Sequence, residues 1–472
     1  MNRPDAVVIG SGPNGLAAAI TLARAGRSVI VFEAADTLGG GARSAELTLP
    51  GFTHDICSAV HPLGRASQVF RDWPLHEHGL EWIEPPASLA HPFDDGRCAL
   101  LLRSLDGTAD RLGRDGPAYR TLVGSIVHAW PRLEANVLGP FGIPRHPFAL
   151  ASFGLRALRS AEHVARSVFR EEQARALFAG SCAHGMLALD RPLSAGFGLV
   201  LSALAHLVGW PIARGGSQRL SNALASYLRS LGGEIVTGSP VASIDDLPPA
   251  RVVLCDLAPK PLLQIAGHRF PAWYRRRLER YRHRMAAFKV DFALDGPIPW
   301  RAAECAQAAT VHLGGTLDEI GRSERDAWDG RTADRPFVLL AQPSLFDPAR
   351  APAGRHTAWA YCHVPLASNA DMLSRIEDQI ERFAPGFRDR VLARSVLGPA
   401  DLERHNANLV SGDISGGAVD AGQLFTRPTW RTYSTPLAGV YICSASTPPG
   451  GGVHGLCGYF AAHRALDDVL RD

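Results

Sequence analysis

The chain opens on a sharply patterned stretch. Four apolar residues, Ala6 to Ile9, predict a short buried strand. The turn Gly10-Ser11-Gly12-Pro13-Asn14-Gly15 follows, and then apolar positions at helical spacing from Leu16 to Ala25, which Gly26 is placed to end. A second apolar run, Ser28 to Phe32, stops at Glu33. Further on, Leu220, Leu224, Tyr227, Leu228 and Leu231 recur at helical spacing and predict a helix ending at Gly232-Gly233. Short strands are expected over 234–236 and 240–244. Near the end, Val440 to Cys443 reads as a strand, Gly450 to Gly452 as a loop, and 453–470 as a last helix. The longest strongly apolar stretch, Leu193 to Ala213, contains His206, Trp210 and Pro211; it predicts a buried helix, or one resting on a membrane surface, rather than a spanning helix.

The first segment has the residue types that a dinucleotide requires. Gly10 permits a tight turn from strand to helix, Gly12 lets a pyrophosphate reach the backbone, and Gly15 lets the helix pack against the strand. The helix start, with Ser11, Pro13 and Asn14 in its loop, offers free N–H groups to phosphate. Glu33 and the adjoining Ala34 fall where an acid can accept hydrogen bonds from a ribose. Gly40, Gly41, Ala42 and Arg43 come next, and Arg43 suits a phosphate charge. Gly450, Gly452 and Gly455 repeat the glycine spacing, but only 17 residues follow Gly455, too few for a second strand with its acid. That loop, with Ser446, Gly451, Gly452, Val453 and Leu456, is expected instead to face the redox end of the same cofactor, with the helix dipole stabilising negative charge there. Val241 is expected against the adenine. The fingerprint alone does not separate FAD from NAD; the glycine segment Leu38 to Arg43, the segment Gly215 to Leu220 that returns the chain to this fold, and the terminal segment Gly439 to Leu456 together favour FAD, and with no second fingerprint a stable NAD(P)H site is not expected.

Composition narrows the reading. A length of 472 residues favours two packed domains. The net charge is +3, and 47 of the 49 basic residues are arginine, without a basic tail; no nucleic-acid partner is expected. Eight cysteines form no CxxC, so neither a disulfide framework, a redox-active pair nor a metal site is expected, and a cytoplasmic setting is. Six arginines between Trp273 and Arg284 suit either an anionic membrane surface or a solvated helix face, the latter being the commoner use.

Taken together, the chain resembles the phytoene-desaturase-like FAD-dependent oxidoreductases of the flavin amine-oxidase superfamily, in particular the branch of pyridine nucleotide-disulfide oxidoreductase domain-containing protein 2. Besides the nucleotide segments, the resemblance rests on Ala287 to Gly296, on Ser344 to His356 with Asp347 and Arg350, and on Ser411 to Gly417 with Asp413 ahead of Gln423. It implies an α/β fold: a glutathione-reductase-type, Rossmann-like FAD domain (1–70, 212–290 and 400–472) interrupted by an α+β substrate domain (71–211 and 291–399). It also implies dehydrogenation or oxidation of a lipophilic, carotenoid-like small molecule. An amine oxidase, a redox-neutral isomerase and a non-enzymatic FAD-bound scaffold are the alternatives. His61, Lys289 and His454 are candidate proton-handling residues; Lys289 resembles the lysine that holds a water beside the flavin in amine oxidases. For each histidine a hydrogen-bonded structural role is the commoner one, and for Lys289, whose neighbours alternate as in a strand, a structural or exposed role is at least as common. The oligomeric state is not legible.

Overall fold

A computed structural model describes residues 3–471. Two sheets organise the chain. The first is wholly parallel, in the order Val440–Ile442, Val252–Cys255, Ala6–Ile9, Val29–Phe32, Glu234–Val236. Four of its strands are short, apolar and mostly buried, as a sheet covered on both faces requires, while the edge strand Glu234–Val236 is largely exposed. Helix Pro13–Arg24 packs between helices Gln218–Ser230 and Leu456–Asp468. A side chain at Gly458 would stand 1.7 Å from the Asn14 carbonyl oxygen, so the close approach of the last helix to the first depends on that glycine. The strand order reverses between Ala6–Ile9 and Val252–Cys255, and the crevice beyond their C-terminal ends is where ligands bind in open α/β sheets.

The second sheet has seven strands, in the order Val391–Leu397, Met285–Leu294, His356–Pro365, Val338–Ala341, Ala308–Leu313, Ala87–Pro92, Cys98–Leu102. All neighbours are antiparallel except Ala308–Leu313 with Ala87–Pro92. Alternate residues separate its faces. Phe288, Val290, Phe292, Ala358, Ala360, Val338, Leu340 and Val311 join one core, covered by helix Leu373–Phe383. The opposite face roofs a cavity, and helices Glu172–Ala183 and Ser194–Leu207 lie on that side.

Four expectations change. The boundary at 290 falls inside Met285–Leu294, which pairs along its whole length with His356–Pro365; the chain passes between the sheets before Met285. The run 240–244 is not a strand; Pro240 and the 3-10 turn Ile244–Asp246 take the chain on to Val252–Cys255, a strand that the apolar pattern left unassigned. The last helix starts at Leu456 rather than 453, because Gly450, Gly452 and Gly455 have φ of +116°, +127° and +70°, outside any right-handed helix. The arginine-rich segment is helical only over Ala272–Glu279. The stretch 193–213 contains the buried helix Ser194–Leu207, and among the described residues no helix is long and apolar enough to cross a membrane.

Candidate functional site

A single cavity of about 800 Å³ runs from the crevice of the parallel sheet to the roof formed by the seven-stranded sheet. At its nucleotide end, Glu33 leaves the strand Val29–Phe32 and is fixed by Ser11, whose N–H and Oγ both donate to Oε2 at 2.8 and 2.7 Å, and by the Ala35 N–H on Oε1 at 2.9 Å. Ala34, Ser239, Pro240 and Val241 share this end. In the middle, Gly10, Gly12, Pro13, Asn14, Gly40, Gly41 and Arg43 form the wall. Arg43 is buried and donates only to the carbonyl oxygens of Gly40 and His405, each at 2.8 Å; among the described residues it has no carboxylate partner. Arg427, 3 % exposed, is a second such cation on the wall: one of its nitrogens donates to the carbonyls of Ser415, Gly416 and Ala445, while Nε and Nη1 have no hydrogen-bond partner among the described residues. Buried guanidinium groups without counter-ions, beside a glycine wall and a fixed acid, fit a dinucleotide that supplies anionic phosphates and ribose hydroxyls.

The far end is built by strand register. Lys289, Tyr361, Leu339 and His312 stand in one row across four strands; Asp291, Trp359, Ala341 and Thr310 form the next. Lys289, Tyr361, Leu339, Ala341, Trp359 and Thr310 line the cavity, and Met186, Phe197, Leu201 and Trp210 face it from below, so this chamber is mostly apolar. His184, also on the wall, shares a hydrogen bond of 2.9 Å between its Nε2 and that of His312; burial pushes His184 down to about 3, so the pair is neutral.

Behind Lys289 lies a buried charge cluster. Its ammonium donates to Asp291 Oδ2 at 2.6 Å and to the Asp55 carbonyl at 2.9 Å. Only two lysines occur among 49 basic residues, so a lysine here is not a reflection of composition. Burial raises Asp291 to about 6, against the pull of Lys289. Arg350, wholly buried, pairs with Asp55 and Asp347 and donates to the Ala213 carbonyl. Burial pushes Asp55 up, but Arg350 and the N–H of Ser217 hold it below the usual carboxylate value. These ion pairs bind the start of the chain to the second sheet.

The expected residues divide as follows. His61 and Lys289 reach the wall. His61 shares a 3.0 Å hydrogen bond with Ser217 Oγ, and burial pushes it down to about 4, so it is neutral. His454 does not reach the wall: its ring spans the backbone from the Leu456 N–H to the Gly450 carbonyl and holds the glycine loop. It is therefore not a proton-handling group of the cavity. Ser446, Gly451, Gly452 and Val453 line the cavity, whereas Leu456 spends its N–H on His454. Ser11 acts through Glu33, Gly15 gives its N–H to Asp256, and Ala42 is buried behind the loop. Sequence reasoning missed Asp256, His184, Trp359, Tyr361 and Arg427. For Asp256 a signal existed: an acid directly after the apolar run Val252 to Cys255 marks the C-terminal end of a central strand.

Comparison with known proteins agrees with this architecture. Residues 8–73 match the NAD(P)-binding Rossmann-like domain family. Pyridine nucleotide-disulfide oxidoreductase domain-containing protein 2 of Mus musculus is 29% identical, the match covering 98% of this chain and 94% of that protein. A lycopene-forming phytoene desaturase of Pseudescherichia vulneris is 24% identical over 95% of this chain and 96% of its own length. Among solved structures, cyclohexylamine oxidase from Brevibacterium oxydans shares the fold, with a TM-score of 0.62 at 16% identity over 100% of both chains. The chain is thus an oxidoreductase, similar over its full length to phytoene desaturases and to pyridine nucleotide-disulfide oxidoreductase domain-containing protein 2, and it shares its fold with an amine oxidase.

Proposed function

We propose that the chain is an FAD-dependent oxidoreductase that dehydrogenates or oxidises a lipophilic, polyene-like molecule in the chamber beneath the seven-stranded sheet. The observation that supports this best is the continuity of the cavity: a polar, glycine-walled crevice opens directly into an apolar chamber. Glu33 and Val241 would hold the adenosine end of FAD, Gly12, Gly40 and Arg43 its pyrophosphate, and Ser446 with Gly451 to Val453 its ring end. When bound, the flavin supplies the acceptor for a hydride. The chain's own contribution is to orient the substrate between Phe197, Leu201, Trp210 and Trp359, to exclude water, and to keep one ammonium group, that of Lys289, at the roof.

The chamber is reached from a bilayer surface in this reading. Leu424 lines the cavity while the next residue, Phe425, is 55% exposed and stacks on exposed Phe141 at 5.3 Å. Ile143 and Phe148 are 98% and 90% exposed on the same connection and the helix after it. Arg145 lies two residues after Ile143, and Arg277 donates to Thr426, the neighbour of Phe425; neither arginine has an ion pair among the described residues. Exposed apolar side chains with arginines beside them suit anionic lipid. Co-sedimentation with anionic vesicles, lost when Phe148 and Ile143 are made polar, is the expected result.

The activity is tested by anaerobic mixing of the yellow protein with polyenes, terpenoids and acyl lipids. Bleaching of the oxidised flavin band supports the reading; bleaching only by amines, with hydrogen peroxide formed in air, replaces it with amine oxidation.

A further inference from the structure

The fingerprint turn of this chain is shaped around an acid. Asp256 follows the strand Val252–Cys255 and lies at the C-terminal edge of the parallel sheet, at the point where strand order reverses. It is 6% exposed and lines the cavity. Its Oδ2 accepts the Gly15 N–H at 3.0 Å, one of the donors at the start of helix Pro13–Arg24. A side chain at Gly10 would approach the Asp256 Cβ to 3.2 Å, and one at Gly12 would meet Oδ2 at 2.6 Å. The carboxyl group therefore sits in the anion-binding position that such a helix start offers to phosphate.

Apart from the helix start, no cationic side chain pairs with it among the described residues. The ionisable groups facing Asp256 are Glu33, at the end of Val29–Phe32, and the thiols of Cys255, Cys443 and Cys457. Asn408 gives its side-chain amide to the Asp256 backbone carbonyl and leaves the carboxyl alone. No ion pair involving Asp256 occurs among the described residues. A carboxylate anion here would repel a pyrophosphate, while a carboxylic acid would donate a hydrogen bond to it.

We infer that Asp256 is a proton-carrying contact of the dinucleotide site, so that the chain takes up its cofactor with this carboxyl protonated. The inference rests on the FAD reading above. Burial, reinforced by Glu33 and opposed by the Gly15 N–H, raises the free carboxyl to about 7. Below that pH the proton is already in place and affinity is flat. Above it, binding must draw a proton from solution, and affinity falls about tenfold per pH unit until the still higher value of the bound state is passed.

The test uses the full-length chain stripped of flavin and titrated with FAD from about pH 6 to about pH 9 at constant ionic strength. The wild-type dissociation constant should rise about tenfold per unit above neutrality, and calorimetry in buffers of different ionisation enthalpy should count about one proton taken up per FAD at the alkaline end. Asp256→Asn should remove both the slope and the proton uptake, and should bind FAD more tightly than wild type at high pH. A flat wild-type profile without proton uptake, or an Asn variant that keeps the slope, overturns the inference while leaving FAD in place. Failure to bind FAD at any pH removes the cofactor reading and this inference together. The wild-type proton count decides by itself if the variant does not fold.

Discussion

At the nucleotide end of the cavity the wall is largely backbone: Gly10, Gly12, Gly40 and Gly41, with two fixed acids, Glu33 and Asp256. At the far end it is side chains from one sheet face, Lys289, Tyr361, Thr310 and Trp359, backed by a cluster of buried ions. The first end tolerates little because a backbone wall has no rotamers to adjust. The second depends on charges whose partners come from distant parts of the chain. The two ends should therefore fail differently, one by losing its ligand and the other by losing stability or chemistry.

The largest effect is expected at the backbone wall. Gly12→Val places a side chain 2.6 Å from Asp256 Oδ2 and fills the space a pyrophosphate needs. The purified variant should be folded by circular dichroism and colourless, with no flavin retained after desalting. A yellow Gly12→Val protein would end the distinction between the two ends.

This difference also explains what the sequence revealed. The glycine turn, the helix behind it and Glu33 are contiguous, so a fingerprint is visible without the fold. The far chamber is assembled by register: Lys289 meets Tyr361, Leu339 and His312 only because three strand pairings align them. No spacing along the chain announces that row, and the even alternation of Met285–Leu294 revealed a strand but not what its odd residues face. His454 takes the structural role that is the commoner one for a histidine, and the reason is local: its ring nitrogens are used by the glycine loop itself. The strand Val252–Cys255 escaped notice because four apolar residues between Arg251 and Asp256 carry little periodicity.

The next effect concerns stability at the ionic end. Arg350→Leu leaves Asp55 and Asp347 buried without their cation and should cost about 3–5 kcal/mol in denaturant unfolding. Its pH dependence gives a sharper test. In the wild type Asp55 is held below its ordinary value of 3.8, so its contribution is present above that pH and is lost as pH falls through the folded value. In the variant burial dominates and the folded value lies above the unfolded one. Asp55 then favours the fold at low pH, and that contribution is lost as pH rises. The slope of stability against pH in the acid range should change sign.

A smaller free-energy change is expected from Lys289→Met, which should leave flavin content unchanged. Asp291, already raised to about 6 with the lysine present, would become neutral without it, limiting the loss of stability. Removal of the only ammonium group on the wall among the described residues should slow reoxidation of the reduced protein by oxygen by roughly 10²-fold, read by stopped-flow absorbance. An unchanged rate would place Lys289 among the ions that only hold the two sheets together.

The smallest effect separates structure from binding within the far chamber itself. Thr310 is 5% exposed, and its hydroxyl has no hydrogen-bond partner among the described residues. A buried hydroxyl without a hydrogen bond costs on the order of 1 kcal/mol or more, and valine has the same shape and suits the interior of a strand. Thr310→Val should therefore unfold at slightly higher denaturant than wild type, by about 1 kcal/mol, with full flavin content. If the hydroxyl is kept for a polar group on the substrate, the same variant should also raise the substrate concentration needed for half-maximal bleaching. Ala341, between Thr310 and Trp359 in the same row, leaves room above it for such a group. A stabilised variant with unchanged bleaching would show that the chamber selects its substrate by apolar shape alone. A destabilised one would mean that the hydroxyl does have a partner in solution, and that the far end, like the nucleotide end, is more completely satisfied than its side chains indicate.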